Sequence, residues 1–397
     1  MNIHDFDHIR PFEPEELQEA YSRLEQDPQF RQVIHYLYPQ VPFEAVMQRM
    51  RGCTTLLDFQ KTFCYGFLKD LLSKASLGCT MDCTAIDTTQ RYTFVSNHRD
   101  IVLDSALLDV LLIDSGFTTT CEIAIGDNLL AAPWIRDMVR INKSFIVERS
   151  LGMREMLVAS KRLSEYMHFV IGEKHDNVWI AQREGRAKDS NDRTQPSILK
   201  MMAMGGTGSV VERLKQLHIV PLAISYEYDP CDYLKAQEFQ LRRDDATWKK
   251  TKGDDVRSMK TGIMGFKGHI HYHCAPCIDA WLDTLPADMP KGELFDAVAS
   301  HIDSEIHHNY RIYATNSIAL DLLNVAPESE GSLSAKVSYS PEEQSRFEAY
   351  LAERVALAGQ PGGEGLSSLA SPDAGYLRER LLTMYAYPLI NKMSYGQ

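Results

Sequence analysis

The chain lacks a run of about 18 uncharged apolar residues, the length a membrane-spanning helix needs. Its best candidate, Ser105 to Ile113, is broken by Asp109 and stopped by Asp114. The opening residues show no succession of basic, apolar and small residues of the kind an export signal carries. Basic charge is short as well: 42 basic residues stand against 54 acidic ones, a net charge of -12. Bulk affinity for nucleic acid or an anionic membrane is therefore not expected, although a local basic pocket for a small anion fits that balance. Eight cysteines in 397 residues are few for a disulfide framework. No Gly-x-Ser-x-Gly elbow occurs, which argues against a common class of hydrolase. The expectation is a soluble, cytoplasmic protein with free thiols.

What is present is ordinary globular composition, 44% hydrophobic and 24% charged. The length suits one large domain or a few modest ones. Residues 1–80 read as helical: Leu17, Tyr21 and Leu24 recur at helical spacing, and the same period runs from Val41 to Ser76. From Cys83 the texture changes to short β-branched and aromatic runs alternating with helical stretches. These runs begin at Tyr92, Thr120, Lys143, Asn177 and Ile219. The alternation predicts an α/β domain over residues 81–280. Residues 281–397 read as helices packed on that core, interrupted by a Gly-rich connector after Ala358.

Candidate chemistry gathers at the predicted strand ends. Asn97-His98-Arg99-Asp100 follows the first of them and precedes a helical run containing Asp104. A histidine with a carboxylate in reach is what a general base requires, and a helix N-terminus flanked by acids is the plainer alternative. Lys143 to Val147 leads into Arg149, and Trp179 to Ala181 leads into Glu184-Gly185-Arg186 and Lys188. Taken in order, these segments describe a base beside an anion pocket, with Arg149 and Arg186 following neighbouring predicted strands.

The set resembles the four motifs of the glycerol-3-phosphate and lysophosphatidate acyltransferase superfamily, in order over residues 97–227. Ile125 to Pro133 resembles the connector between the first two motifs in soluble plastid-type glycerol-3-phosphate acyltransferases, which also carry a helical domain ahead of the catalytic one. The resemblance implies a central mixed sheet with flanking helices. It also implies transfer of a fatty acyl group to a hydroxyl of glycerol-3-phosphate or a lysophospholipid-type acceptor. His98 would be the catalytic base and Asp104 its partner. Asn97, Arg149, Glu184, Gly185, Arg186 and Lys188 would bind the acceptor. No cofactor or metal is implied beyond the co-substrate, acyl-CoA or an acylated acyl carrier protein, and peripheral contact with a membrane surface is compatible with such a role. Rival readings are an acceptor with a carboxylate, such as an amino-acid lipid, or a non-catalytic binder of acyl chains or membrane surfaces.

One departure stands out. The family separates histidine and aspartate by four residues, whereas five separate His98 from Asp104. On a regular helix one extra residue rotates a side chain by about 100°. Either the insertion is absorbed before the helix begins or Asp100 takes the role. Ser105-Ala-Leu-Leu after Asp104 resembles the family and favours Asp104.

Other signals weigh less. His269, His271 and His273 share one face of a predicted strand that ends near Cys274 and Cys277, and could bind zinc in principle. A strand near the sheet edge, closed by a proline turn, is the simpler reading. Gly205 to Ser209 lacks the lysine of a phosphate-binding loop and reads as a helix N-cap. The mixed charges from Arg242 to Lys260 read as a solvated face.

Overall fold

The computed structural model describes residues 2–130, 132–149, 151–323 and 335–395. Ala131 of the connector and part of the C-terminal region, including residues 324–334, lie outside the described residues. Seven strands form one sheet: β1 (Gly78–Asp82), β2 (Thr93–Ser96), β3 (Cys121–Gly126), β4 (Ser144–Val147), β5 (Asn177–Ala181), β6 (Ile219–Tyr226) and β7 (His269–Cys274). Their order is β1-β7-β6-β2-β5-β3-β4. The sheet is mixed: β6, β2, β5, β3 and β4 run parallel, while β7 is antiparallel to β6 and β1 runs with β7.

Two expectations change here. β1 falls at the end of the stretch read as helical, because Gly-Cys-Thr-Met-Asp carries no apolar alternation; the open edge of β7 supplies its ladder. The single period from Val41 to Ser76 is also divided. Helices Phe43–Arg51 and Gly66–Ala75 flank the short helix Leu56–Phe59 and a π-helical turn at Gln60–Tyr65. Thr55 restarts the chain as an N-cap, its hydroxyl accepting the Asp58 amide at 3.1 Å.

Helices cover both faces of the sheet. One core joins Val95, Phe145 and Val178 to Tyr166 and Met167 of the helix Met153–Phe169 and to Val298 and Ile302 of the helix Lys291–His308. The opposite core joins Phe94, Trp179 and Tyr272 to the helix Leu103–Asp114. Smaller cores hold the N-terminal helices together, around Tyr21 and Phe43, and the C-terminal ones, around Leu351 and Leu381. Among the described residues no helix is long and apolar enough to cross a membrane.

The helix Leu103–Asp114 is buried almost all round and carries two acids inside. Asp109 accepts the Cys121 amide at 2.9 Å and the Gln60 side-chain amide at 3.0 Å. Burial nevertheless pushes its carboxyl up to about 7, against those two hydrogen bonds. A carboxyl raised on folding costs stability once ionised; here that cost grows from about pH 4, the unfolded value, and is complete above about pH 7. Asp109→Asn cannot ionise, so thermal melts should show a flatter loss of stability than wild type between about pH 5 and 7. Identical slopes would assign the titration to another group.

Candidate active site

The parallel strands β2, β5, β3 and β4 send their carboxyl ends to one edge of the sheet, where α/β proteins build their sites. Residues 97–102 leave β2 without regular structure, and the helix begins only at Leu103. The extra residue is absorbed in this loop, so Asp104 is not rotated away from His98. His98 Nδ1 lies 2.8 Å from Asp104 Oδ2. The same oxygen accepts the backbone amides of Arg99 at 2.6 Å and Asp100 at 3.0 Å. Asp104 is wholly buried, and its backbone carbonyl takes the Tyr272 hydroxyl at 2.9 Å. With Nδ1–H donated to the carboxylate, Nε2 is the nitrogen left for the cavity that His98 lines.

Asp100 does different work. Its Oδ1 accepts the Val102 and Leu103 amides at 2.9 and 2.8 Å, closing the turn into the helix. Burial, reinforced by the neighbouring Asp104, raises its carboxyl above the ordinary range. Its other oxygen packs on Gly262 of the helix Lys252–Met264, where a Cβ would come within 1.8 Å of it. Only glycine allows that approach.

His98 opens on a cavity of about 690 Å³. Trp179, whose ring meets the imidazole edge-on at 5.7 Å, forms part of the wall and donates its indole N–H to Ser96 at 3.0 Å. Ile123, Ile125 and Ile146 of β3 and β4 make the wall apolar, with Ile135, Val139, Met156 and Leu163 from the flanking helices. Arg149, Glu184, Gly185, Arg186 and Lys188 line the same cavity. The structure thus brings most of the expected site residues together, but not in the expected way.

Asn97 does not reach the cavity. It is fully buried, and both ends of its amide are taken by the Ile224 backbone, at 2.9 and 2.8 Å. Its amide ties β2 to β6. Nor do Arg149 and Arg186 follow neighbouring strands, because β3 lies between β4 and β5. Arg149 is partly exposed and 3.6 Å from Glu184. Arg186 sits deep, near Cys231, Asp100 and Asp229, which hold its guanidinium charged although burial opposes it. Its Nη1 is buried without a hydrogen-bond partner. A cation with an unused donor beside a cavity is suited to receive an anion. Lys188 pairs with Glu238 at 3.1 Å, and burial lowers its basicity. Gly185 holds the intervening turn at φ +68, a conformation that disfavours any side chain.

Sequence reasoning missed Arg183, Arg242 and Lys250, which also line the cavity. The stretch from Arg242 was read as solvated because its charges are mixed; packing of the helices Asp232–Asp244 and Lys252–Met264 beside the site turns part of it inward. The three histidines of β7 do not converge. His271 meets Thr80 Oγ1 at 2.9 Å, and its ring centre stands 6.2 Å from that of His273.

Residues 82–225 match the family model described as Acyltransferase. The chain carries an acyltransferase domain. Its enzymatic class is thereby given, and the four motifs fall on the same segment, apart from the last residues of the fourth. Among solved structures, the 1-acyl-sn-glycerophosphate (LPA) acyltransferase PlsC from Thermotoga maritima is similar at 10% identity, over 72% of this chain and 93% of that one, with a TM-score of 0.37. No curated protein matches the chain.

The two aspartates of this acyltransferase should separate cleanly. Asp104→Asn removes the carboxylate that holds the imidazole, and should lower turnover by at least ~10²-fold while the protein remains folded. Asp100→Asn should act on the melting temperature and leave turnover within ~10-fold, since Asp100 caps a turn. Steady-state kinetics with parallel thermal melts decide the matter, and the opposite ranking would exchange the two roles.

Proposed function

We propose that this enzyme transfers a fatty acyl group from an acyl thioester to a hydroxyl of glycerol-3-phosphate or a lysophospholipid-type acceptor, in glycerolipid and phospholipid synthesis. The observation that carries the reading is the His98–Asp104 pair opening on one cavity that is apolar along β3 and β4 and cationic at the strand ends. The apolar wall suits an acyl chain. The arginines suit a phosphate, to which guanidinium offers two parallel donors.

His98 Nε2 takes the proton of the acceptor hydroxyl as its oxygen attacks the thioester carbonyl. The tetrahedral intermediate collapses to the ester and expels a thiolate, which recovers that proton from the imidazolium. Asp104 fixes the tautomer and stabilises the imidazolium while it exists. The hydroxyl belongs to the substrate, so no covalent acyl-enzyme is required. The carrier is coenzyme A or acyl carrier protein, and no further cofactor enters. Met153, Leu157 and Val158 are exposed on the helix whose Met156 and Leu163 line the cavity. That supports contact with a membrane surface where lipid enters or leaves, and in this reading the enzyme works on the cytoplasmic side.

Purified protein should release free thiol from an acyl thioester only when the right acceptor is present. A screen of phosphate and carboxylate acceptors with both carriers, read by mass spectrometry, identifies that acceptor. His98→Ala should lower turnover by at least ~10²-fold; unchanged activity would remove the mechanism. Arg149→Ala should raise the acceptor KM ~10-fold or more, from a lost charge-assisted bond of about 1.5–3 kcal/mol, and spare thermal stability. Arg186→Ala should raise the acceptor KM as well, but also lower the melting temperature, because Asp100 and Asp229 lose a buried cation. If donor affinity falls in place of acceptor affinity, the anion belongs to the carrier.

A further inference from the structure

A second cluster of chemical groups lies at the other edge of the sheet, outside the acyl-transfer chemistry. His218 immediately precedes β6, and Cys277 and Asp279 follow β7. Because β6 and β7 are antiparallel, the entry to one lies beside the exit of the other. Their pairing extends past the strand ends. The Ala275 amide donates to the Pro221 carbonyl at 2.9 Å, and the Ile278 amide to the Ile219 carbonyl at 3.0 Å. In the β2–β6 register Thr93 faces Ile219 and Ser96 faces Leu222. His98 follows the far end of β2, so this cluster and the acyl-transfer site occupy opposite ends of the strands.

A ring nitrogen of His218, Sγ of Cys277 and a carboxylate oxygen of Asp279 all lie within 4.8 Å of one another. Among the described residues no other group of three such side chains converges in this way. His218 Nδ1 lies 2.6 Å from Asp279 Oδ2. The second oxygen, Oδ1, is buried without a hydrogen-bond partner, and the carboxylate's other neighbour is the Cys277 thiol. A buried carboxylate oxygen left unused is a cost that a cation would remove. The His218 ring is about half exposed, so the cluster is open to solvent.

The donor set selects the ion. Calcium and magnesium take oxygen ligands, whereas imidazole and thiolate together favour zinc and its chemical neighbours. Zinc bonds of about 2.0–2.3 Å in a tetrahedron place ligand atoms about 3.3–3.8 Å apart. The three donors already lie within 4.8 Å of one another, and the 2.6 Å contact between His218 and Asp279 opens as an ion enters between them. We infer that His218, Cys277 and Asp279 form a zinc-class metal site, with a fourth position left to water, that clips the entry of β6 to the exit of β7. Binding converts the Cys277 thiol to thiolate, and the proton leaves to solvent as the sulfur–metal bond forms.

Cobalt(II) titration of the metal-free full-length chain tests this. The wild type should develop a thiolate-to-cobalt charge-transfer band that saturates at one equivalent and disappears on adding zinc. Cys277→Ser should lack the band. His218→Ala and Asp279→Asn should bind at least ~10-fold more weakly, and zinc should raise the melting temperature of wild type more than that of either variant. His218 is at the surface, so His218→Ala keeps the test available if Cys277→Ser folds poorly. His271→Ala should behave as wild type. No band in folded wild type, a band that survives Cys277→Ser, or a band lost in His271→Ala would each overturn the assignment.

Discussion

One carboxylate oxygen organises the site. Asp104 Oδ2 receives the imidazole of His98 and two successive backbone amides, so the loop leaving β2 is wrapped around a single acceptor. Asp104 stands in the first turn of a helix, where the backbone dipole favours negative charge. Three donors and that dipole offset the cost of burying the Asp104 carboxyl group. The direction of the His98 ring follows from this arrangement. So does the position of the loop, which could not move without stripping Asp104 Oδ2 of its backbone donors.

Behind that loop lies a layer of buried charge which ties the site to the C-terminal helices. Arg99 pairs with Asp192 at 2.7 Å, and Asp192 also takes the Tyr310 hydroxyl. Lys235 donates to the Arg99 carbonyl at 3.2 Å and pairs with Asp229. The Asp229 amide in turn donates to the Tyr385 hydroxyl at 3.1 Å, and Arg354 holds Asp232 at 2.6 Å. Buried pairs of this kind add little net stability, but removing one partner strands the other charge in a medium that cannot solvate it. The C-terminal helices therefore bear on the active-site loop through a continuous set of contacts. An acidic protein can also keep a cationic cavity, because Asp100 and Asp229 stand close behind Arg186 while Glu238 pairs with Lys188 on the wall.

Much of this could be read from the chain. The buried strands β2, β3, β4, β5 and β6 announced themselves by β-branched and aromatic runs, since a strand covered on both faces needs little else. The order of His98, Arg149 and Glu184-Gly185-Arg186 along the chain marked the strand ends that carry the cavity. β1 was hidden because an edge strand with one neighbour needs no apolar alternation. Asn97 looked like a substrate contact because a buried asparagine and a catalytic one have the same letter; only the Ile224 backbone distinguishes them. Period-two spacing places the histidines of β7 on one face without bringing them to one point, a difference that spacing alone does not record.

The sequence by itself determined local matters: which segments bury both faces, where a base and cations leave strands, and that Asp104 stands one residue beyond the family spacing. These depend on neighbours along the chain, and patterning records them. Only the tertiary structure decided which aspartate meets His98, that β3 separates the strands leading to Arg149 and Arg186, and that His218 meets Cys277 and Asp279. Each is a contact made across the sheet or through a loop without regular period. The turn at residues 97–102 could absorb an extra residue that a helix could not, because loop dihedrals are free to take up what 3.6 residues per turn would convert into a rotation.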